Sequence, residues 1–285
     1  MSEPQLRLGT RGSALALAQS GAIAATVISE LGRHVELVTV LTAGDVNPAA
    51  IAQIGGTGVF VTALRDALLA GEVDLAVHSF KDLPTAPAPG LVIAAVPVRA
   101  DPRDALVARD GLTLGELPTG ARIGKVRSGE VDAVVLARAG LQRLGRLDEA
   151  SEVIDPLTML PAPAQGALAL ECRADDPELV ALLARLDDPD SRSAVAAERA
   201  LLGALEAGCT APVGALAQVA EGDDGPELYL RGLVAAVDGT DAVRLSATGP
   251  TSEAQEVGRR LAAELLDLGA RSFLSPVSPS VGGPA

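Results

Sequence analysis

The sequence predicts an α/β protein with more than one domain. At 285 residues, the chain is longer than the size at which a single hydrophobic core usually stops growing, about 250 residues. Its first hundred residues alternate short strand-like segments with longer helical ones, an order typical of a parallel sheet covered by helices. Near the C-terminus, Asp238-Gly239 separates two strand-like segments and indicates an antiparallel hairpin.

The first unit is predicted to contain four strands and two helices. The strands are expected at 5–8, 35–41, 75–78 and 91–96, and the helices at 14–31 and 59–70. Ser13 follows a glycine and can cap the first helix, so free backbone N–H groups there would face a bound anion. The turn-rich segment 42–58 is either a flexible connector or a mobile lid over a cleft.

A second unit begins near Asp101, and the chain then returns to the first unit. We expect strands at 105–107, 122–124 and 133–136, a proline-rich hinge at 160–165, a strand at 166–171 and a helix at 177–186. We therefore assign domain 1 to 1–99 and 166–187, and domain 2 to 100–165.

The third unit begins with a helix at 191–205, which stops at Gly208. Hairpin strands at 228–237 and 242–247 follow. Thr251 or Ser252 can cap a last amphipathic helix that runs to about 268. Domain 3 is therefore predicted at 188–275, with a disordered tail at 276–285.

Composition and charge exclude several classes of function. The formal net charge is −14, which argues against nucleic acid or an anionic membrane as a partner, whereas a few focused arginines could still bind a small anion. The N-terminus lacks a signal-peptide pattern and no apolar run approaches eighteen residues, so we expect a soluble, cytoplasmic protein. Cys172 and Cys209 are far apart and lack metal-ligand spacing, which indicates neither a disulfide framework nor a metal site.

Two segments of the chain point to chemistry. Residues 74–85 have the pattern of a buried strand that ends in a polar cluster and a proline, which delivers Ser79, Lys81 and Asp82 to the strand's carboxyl end. Open α/β sheets bind ligands at that edge. Cys209 lies between an apolar helix and a turn rich in glycine and proline, so its thiol can be reached, although a free cysteine is more often a small buried apolar residue.

These two segments, together with residues 9–13 (GTRGS) and 160–167 (LPAPAQGA), resemble the porphobilinogen deaminase (hydroxymethylbilane synthase) family. The resemblance runs from about Leu6 to about Ala270, with the motifs in the family's order. It implies two periplasmic-binding-protein-like α/β domains with a double crossover plus a small C-terminal α+β domain. It also implies a transferase of haem biosynthesis that condenses four porphobilinogen molecules head to tail, with release of ammonia, on a covalently bound dipyrromethane primer.

By this resemblance, Cys209 carries the dipyrromethane cofactor through a thioether and Asp82 is the catalytic aspartate. A thiol is a soft nucleophile suited to a permanent bond with carbon, and a fixed carboxylate would stabilise positive charge that develops on the pyrrole rings. The remaining implied residues are Lys81, Ser79, Arg11 and Ser13 for the cofactor and Arg11, Gln165, Phe60 and Arg199 for the substrate. Alternation along the strand points His78 the other way, as a packed core histidine, and Cys172 is expected to be a buried core residue.

One departure from the family follows Gly124. The family continues there with a segment that contains a helix and paired arginines, and roughly 30 residues, about the size of one βαβ unit, are absent here. Only residues 125–132 separate Gly124 from the next strand, whereas a parallel crossover needs a dozen or more residues. If the deletion is real, the protein should be inactive or badly impaired. We expect instead that the chain is interrupted between Gly124 and Lys125, with an arginine-rich segment present in an active protein, so that their Cα atoms lie clearly farther apart than the about 3.8 Å between neighbouring residues.

Two alternatives to an active enzyme therefore stay open. One is a deletion-bearing inactive paralogue, and the other is a two-domain small-anion-binding module of the same fold, which would not explain Cys209. An intact mass that exceeds the sequence mass by a covalent dipyrrole would separate the enzyme from both. For the enzyme we expect a monomer that takes porphobilinogen as its substrate and passes its product to uroporphyrinogen-III synthase.

Overall fold

The computed structural model describes residues 5–40, 56–114, 132–206, 211–222 and 225–274. Within these ranges the strands form one five-stranded sheet and two three-stranded sheets. The fold is α/β, with two α/β domains and a C-terminal α+β domain. Several predicted features lie outside the described residues: the part of the lid at 42–55, the strand at 122–124, the junction of Gly124 with Lys125, Cys209 and the tail at 276–285.

The strands and helices alternate along the chain. The strands are β1 (Leu6–Thr10), β2 (Val35–Thr39), β3 (Leu75–Ser79), β4 (Leu91–Ala95), β5 (Asp104–Ala108), β6 (Ala133–Ala137), β7 (Glu152–Val153), β8 (Leu168–Arg173), β9 (Val213–Gly222), β10 (Gly225–Ala235) and β11 (Ala242–Pro250). The helices are α1 (Ala14–Leu31), α2 (Gly56–Leu69), α3 (Arg138–Arg143), α4 (Pro177–Leu183), α5 (Pro189–Ala204), α6 (Ala254–Leu265) and α7 (Arg271–Leu274). The predicted elements in these ranges are confirmed within a few residues at their ends.

The first sheet has the order β2-β1-β3-β8-β4. β1 is parallel to β2 and β3, whereas β8 is antiparallel to both β3 and β4. The four strands from the first hundred residues are therefore parallel to one another, as predicted, and β8 alone runs against them. The chain returns from the second domain before it forms β8, so this strand enters the sheet from the opposite end.

Helices cover both faces of the first sheet. On one face, Ile23, Ala24 and Val27 of α1 join a core that includes strand residues such as Leu8 and Leu170. On the other face, α2 packs through a second apolar cluster. The α2 helix includes residues 56–58, so that part of the predicted lid is helical instead.

The α1 helix has the expected cap. Ser13 Oγ accepts a hydrogen bond from Ala16 N at 3.3 Å, and the helix ends at Gly32, which has a φ of 68°. By length and composition, α1 is apolar enough to cross a membrane, which corrects the expectation that no apolar run approaches that length. In the fold, its buried residues pack against the first sheet as those of a core helix do.

The second sheet has the order β6-β5-β7. The central strand β5 is antiparallel to β6 along its whole length and to β7 at two positions. A small core forms under it from Leu106, Ala133 and Ile154. After β7, the chain crosses back to the first sheet through the predicted hinge.

The hinge holds two residues in the left-handed region. Ala164 has a φ of 62° and Gly166 a φ of 87°. A Cβ on Gly166 would lie 2.5 Å from the backbone oxygen of Ala100, so only glycine fits at this crossing of two backbone segments. The chain here is therefore closely packed against the segment around Ala100, which is the other connection between the two domains.

The third sheet, β11-β10-β9, is antiparallel and packs against α5 and α6. The predicted hairpin is confirmed, with Asp238 accepting a hydrogen bond from Thr240 N in its turn. The predicted cap of the last helix is wrong. Thr251 and Ser252 lie in a 3₁₀ turn, and α6 begins after Glu253, whose side chain makes no capping hydrogen bond.

Candidate functional site

The predicted catalytic segment lies at the carboxyl end of β3. The strand is buried until Ser79, and a single 3₁₀ turn, Phe80–Asp82, follows it directly. Phe80 packs into the core between the first sheet and α5. The sharp turn brings the side chains of Lys81 and Asp82 to the sheet edge, where the sequence predicts them.

Arg199 of α5 holds this turn from behind. It donates hydrogen bonds to the carbonyl oxygens of Phe80, Leu83 and Pro84 at 3.2, 2.8 and 2.5 Å. Its guanidinium carbon also lies 4.4 Å from the centroid of the Phe80 ring. These contacts direct its guanidinium to the backbone around Asp82, and its role in substrate binding stays a prediction.

Asp82 lines a cavity of about 190 Å³ between α1, α2 and the end of β3. The walls also include Arg11, Gln19, His78 and Ser79. Burial raises the pKa of the Asp82 carboxyl, while the charges of Lys81, Arg11 and His78 lower it by a smaller amount. The cavity therefore combines one carboxyl group of raised pKa with nearby cationic side chains.

Ser79 is held by a residue that the sequence analysis missed. Gln19 Nε2 donates to Ser79 Oγ at 2.9 Å, and Ser79 Oγ lies 3.3 Å from Gln19 Oε1. Gln19 is 5% exposed although it is polar and sits in an apolar helix. A buried glutamine one turn after the Ser13 cap, on the helix face that packs on the sheet, was the available signal.

Lys81 and the hinge are joined through Gln165. Lys81 Nζ donates to Gln165 Oε1 at 3.0 Å, and Gln165 Nε2 donates to the Pro102 carbonyl oxygen at 2.9 Å and to Asp104 Oδ1 at 2.8 Å. Burial raises the pKa of Asp104 more than the Gln165 hydrogen bond lowers it. Both amide hydrogens of Gln165 therefore bond to the segment that enters the second domain, and its role in substrate binding stays a prediction.

Arg143 is a second residue that the sequence analysis missed. It lies at the end of α3, and its Nη2 donates to the carbonyl oxygen of Gly166 at 2.6 Å. Burial lowers the pKa of its guanidinium. Its signal in the sequence is weak, because a helical arginine is usually a solvated or ion-paired residue.

Arg11 lies in the cavity wall as predicted, and Ser13 is committed to capping α1. Phe60 belongs to α2, but its side chain lies outside the described part of the structure. Cys172 is buried in β8, and burial raises the pKa of its thiol to about 11. This confirms Cys172 as an unreactive core cysteine.

Cys209 lies outside the described residues, in the connection between α5 and β9. The described residues on either side of that connection pack against the segment after Asp82 and against the hinge. A Cβ on Gly203, in the last turn of α5, would lie 3.5 Å from the side chain of Thr85, three residues after Asp82. At the other end, Gly214 of β9 packs so closely on Leu160 of the hinge that a Cβ there would lie 2.8 Å from the Leu160 Cβ.

Comparison with protein families gives two matches. The description "Porphobilinogen deaminase, dipyromethane cofactor binding domain" matches residues 6–126 and 120–181, as two overlapping pieces. The description "Porphobilinogen deaminase, C-terminal domain" matches residues 193–267. Together the matches include all three sheets.

Curated proteins with these domains are similar over nearly the whole chain. Porphobilinogen deaminase of Nocardia farcinica is 53% identical over 314 aligned positions, covering 98% of this chain and 90% of that protein. Porphobilinogen deaminase 1 of Streptomyces avermitilis is 54% identical over 319 positions, covering 96% and 98%. Porphobilinogen deaminase of Mycobacterium tuberculosis is 53% identical, covering 94% and 98%. The first two alignments are longer than the 285 residues of this chain, so these relatives have residues that the chain lacks.

Among solved structures, a periplasmic substrate-binding protein of an ABC transporter from Coxiella burnetii aligns with a TM-score of 0.40 and 15% identity. The alignment covers 68% of this chain and 97% of that one.

Proposed function

The chain belongs to the porphobilinogen deaminase family, and we propose that Asp82 is its catalytic carboxylate and Cys209 the anchor of its cofactor. It is a transferase, a hydroxymethylbilane synthase of tetrapyrrole biosynthesis that condenses porphobilinogen with release of ammonia on a dipyrromethane primer. The observation that carries the proposal for Asp82 is its position in a cavity that also contains Arg11, at the end of a turn fixed by Arg199.

The residues around the cavity fit a dipyrrole that bears carboxylate side chains. Pyrrole N–H groups are hydrogen-bond donors, and the Asp82 carboxylate can accept hydrogen bonds from them. The carboxylate side chains of the dipyrrole are acceptors. Arg11 can bind such a carboxylate bidentately, and Lys81 can bind one as a point charge. When bound, the cofactor supplies the free position from which the chain of pyrroles grows.

Asp82 has two roles in this proposal. As a carboxylate it stabilises positive charge that develops on a neighbouring pyrrole ring, and its partial burial makes this interaction stronger than in water. Its raised pKa also brings proton transfer closer to the working pH than for an exposed aspartate. The turn held by Arg199 keeps the short side chain in one place while the product lengthens.

Ser79 and Lys81 position groups around Asp82. Ser79 is oriented by Gln19, so its hydroxyl is preorganised toward the cavity. Lys81 lies between the cavity and the hinge and contacts Gln165 in the absence of ligand. We propose that Lys81, Ser79, Arg11 and the helix that Ser13 caps bind cofactor carboxylates, and that Phe60 contacts a pyrrole ring.

We further propose that the second domain lacks a segment next to Gly124 and that turnover is slower than in relatives that have it. The two pieces of the first family match meet at residues 120–126, and the alignments are longer than the chain. By resemblance, the missing segment contributes arginines for substrate carboxylates. The retained Asp82 cavity supports a chemical step that is slowed but still proceeds.

The enzyme is proposed to work in the cytoplasm as a monomer, without nucleic acid or membrane partners, and to pass its product to uroporphyrinogen-III synthase. The net charge of −14 supports the absence of both anionic partners. Light scattering after size exclusion tests the monomer, and a dimer mass would refute it.

The experiment for the catalytic assignment compares Asp82→Asn with Asp66→Asn. Asp66 is an exposed aspartate on α2 and serves as the matched control. We expect Asp82→Asn to keep the covalent dipyrrole in its intact mass but to lose about a hundredfold or more in kcat, because it removes charge while keeping shape. Turnover within a few-fold of the parent would reassign Asp82 to a structural turn.

A further inference from the structure

A buried polar chain of three residues runs away from the catalytic cavity. His78 Nε2 lies 3.1 Å from Glu171 Oε2. Arg65 donates hydrogen bonds to the same carboxylate, from Nε to both oxygens at 3.1 Å and from Nη2 to Oε1 at 2.8 Å. His78 is 6% and Glu171 2% exposed. Three secondary-structure elements, β3, β8 and α2, each contribute one member.

The strand register explains why the first two residues meet. β3 and β8 are antiparallel neighbours in which Ala76 pairs with Glu171 and His78 with Ala169. Paired residues share a sheet face, so His78 and Glu171 lie on the same side, diagonal to each other. Arg65 reaches them from the helix that covers this face.

A buried ion pair is costly to desolvate, and apolar residues of similar volume would stabilise this face at least as well. His78 also borders the cavity that contains Asp82. The expectation of a merely packed histidine is therefore incomplete, because the residue is buried and yet contributes to the wall of the site.

We propose that His78 is a positioning residue for the carboxylate of Asp82, oriented by Glu171 and Arg65. The proposal rests on the assignment of Asp82 as the catalytic carboxylate. Glu171 fixes the direction of the imidazole, and Arg65 fixes Glu171. His78 thereby keeps one position in the cavity wall while pyrrole units pass through the cavity.

The charges around these groups support this role. Burial alone would raise the pKa of Glu171, but hydrogen bonds from His78 and Arg65 lower it overall, so Glu171 remains an acceptor for the imidazole. The charged groups that act on Asp82 come from three places: Lys81 beside it, Arg11 after β1 and His78 on β3.

The direction of the effect on activity follows from these charges. A cation beside Asp82 favours its ionised form, so loss of that cation raises the pKa of Asp82. Turnover that needs the carboxylate then fails at a higher pH. Replacement of His78 should therefore move the acid limb of the kcat profile to higher pH, by roughly one pH unit.

The test compares His78→Gln with His34→Gln. The chain has two histidines, and His34 is exposed, which makes His34→Gln a matched control. We expect the shifted acid limb in His78→Gln alone, with KM for porphobilinogen within twofold of the parent and the dipyrrole retained in the intact mass. A profile that only drops in height, or a change confined to KM, would overturn the proposal.

A second variant covers the case in which His78→Gln does not fold. Arg65 lies outside the cavity wall, so Arg65→Lys can reach Asp82 only through Glu171 and His78. It keeps the charge but loses the bidentate grip, and we expect a smaller shift of the acid limb in the same direction. An unshifted limb in Arg65→Lys, in protein with parental thermal stability, would show that the chain of contacts does not act on the site.

A measurement without turnover separates this proposal from the catalytic assignment. In holoenzyme labelled at histidine, two imidazole signals are expected, and His34→Gln identifies them. We expect Asp82→Asn to move the His78 signals and leave those of His34 in place. If Asp82→Asn abolishes turnover but His78 does not respond, the role of His78 is refuted and that of Asp82 stands. If the His78 signals move but the turnover of Asp82→Asn is normal, the catalytic assignment of Asp82 fails instead. His78 would then contact Asp82 without any effect on the reaction.

Discussion

Glu198 and Arg99 form a buried ion pair that joins the hinge to the third sheet. Arg99 Nη1 and Nη2 donate to Glu198 Oε1 and Oε2 at 2.7 and 2.9 Å, and Glu198 also accepts from the backbone N–H groups of Ala164 and Ala217. Arg99 Nε donates to the Gln165 carbonyl oxygen at 2.9 Å. One carboxylate therefore ties β9, the strand that follows the Cys209 connection, to the hinge residue that contacts Lys81.

Glu198→Gln should destabilise the fold strongly. Glu198 is fully buried and the Arg99 side chain is 9% exposed, so the substitution leaves a guanidinium without its counter-charge in the interior. We expect a loss of about 3 kcal/mol in the free energy of unfolding, measured by urea titration with circular dichroism because the chain has no tryptophan. Glu256→Gln, which removes an exposed ion pair with Arg259, is the control and should cost at most about 0.5 kcal/mol. Equal effects of the two variants would contradict this account of Glu198.

The two cysteines should differ completely in cofactor attachment. Cys209→Ser is expected to abolish the covalent dipyrrole, because a hydroxyl is a much weaker nucleophile than a thiol. Cys172→Ser should retain it, since Cys172 is buried in β8 with a thiol pKa raised to about 11. Acid Ehrlich staining and intact mass measure both variants. A normal dipyrrole signal from Cys209→Ser would refute the assignment of Cys209 as the cofactor anchor.

Exchanges at Gly166 and at Ala164 should differ in the size of their effect on stability. Gly166→Ala adds a Cβ 2.5 Å from the Ala100 oxygen at a φ of 87°, and we expect it to cost at least about 2 kcal/mol. Ala164→Gly relieves the left-handed backbone strain of Ala164, which stabilises the fold by about 1–2 kcal/mol. It also removes a buried methyl group, which costs about 0.8 kcal/mol, and it raises the conformational entropy of the unfolded chain, which opposes folding. Its net effect should stay within about 1 kcal/mol. Thermal unfolding of the two variants checks this, and a harmless Gly166→Ala would show that the crossing is looser than described.

Insertion after Gly124 of the residues that the Nocardia farcinica relative has beyond this chain should raise kcat/KM for porphobilinogen at least tenfold. The expected reason is the gain of arginines that bind substrate carboxylates bidentately, since each tenfold step needs only about 1.4 kcal/mol. A glycine-serine insertion of equal length is the control for chain length. If both insertions leave kcat/KM unchanged, the chain does not depend on the missing segment.

Local patterns in the sequence determined the elements and the position of the chemistry. The cap at Ser13, the hairpin at Asp238-Gly239 and the placement of Asp82 at the end of β3 depend on neighbouring residues, whose periodicity and turn chemistry can be read along the chain. The burial of Cys172 was also predicted correctly, because its strand setting indicates burial.

Tertiary structure alone decided which partners the polar side chains have. β8 enters the first sheet antiparallel because the chain returns from another domain, and this places Glu171 beside His78. Gln165 and Arg199 are committed to backbone and hinge groups far away in sequence, which no local pattern can predict. The physical reason is that a buried donor or acceptor must be satisfied by whatever group the packing brings near, and packing joins residues that are far apart along the chain, such as Arg199 and Leu83, which are 116 positions apart.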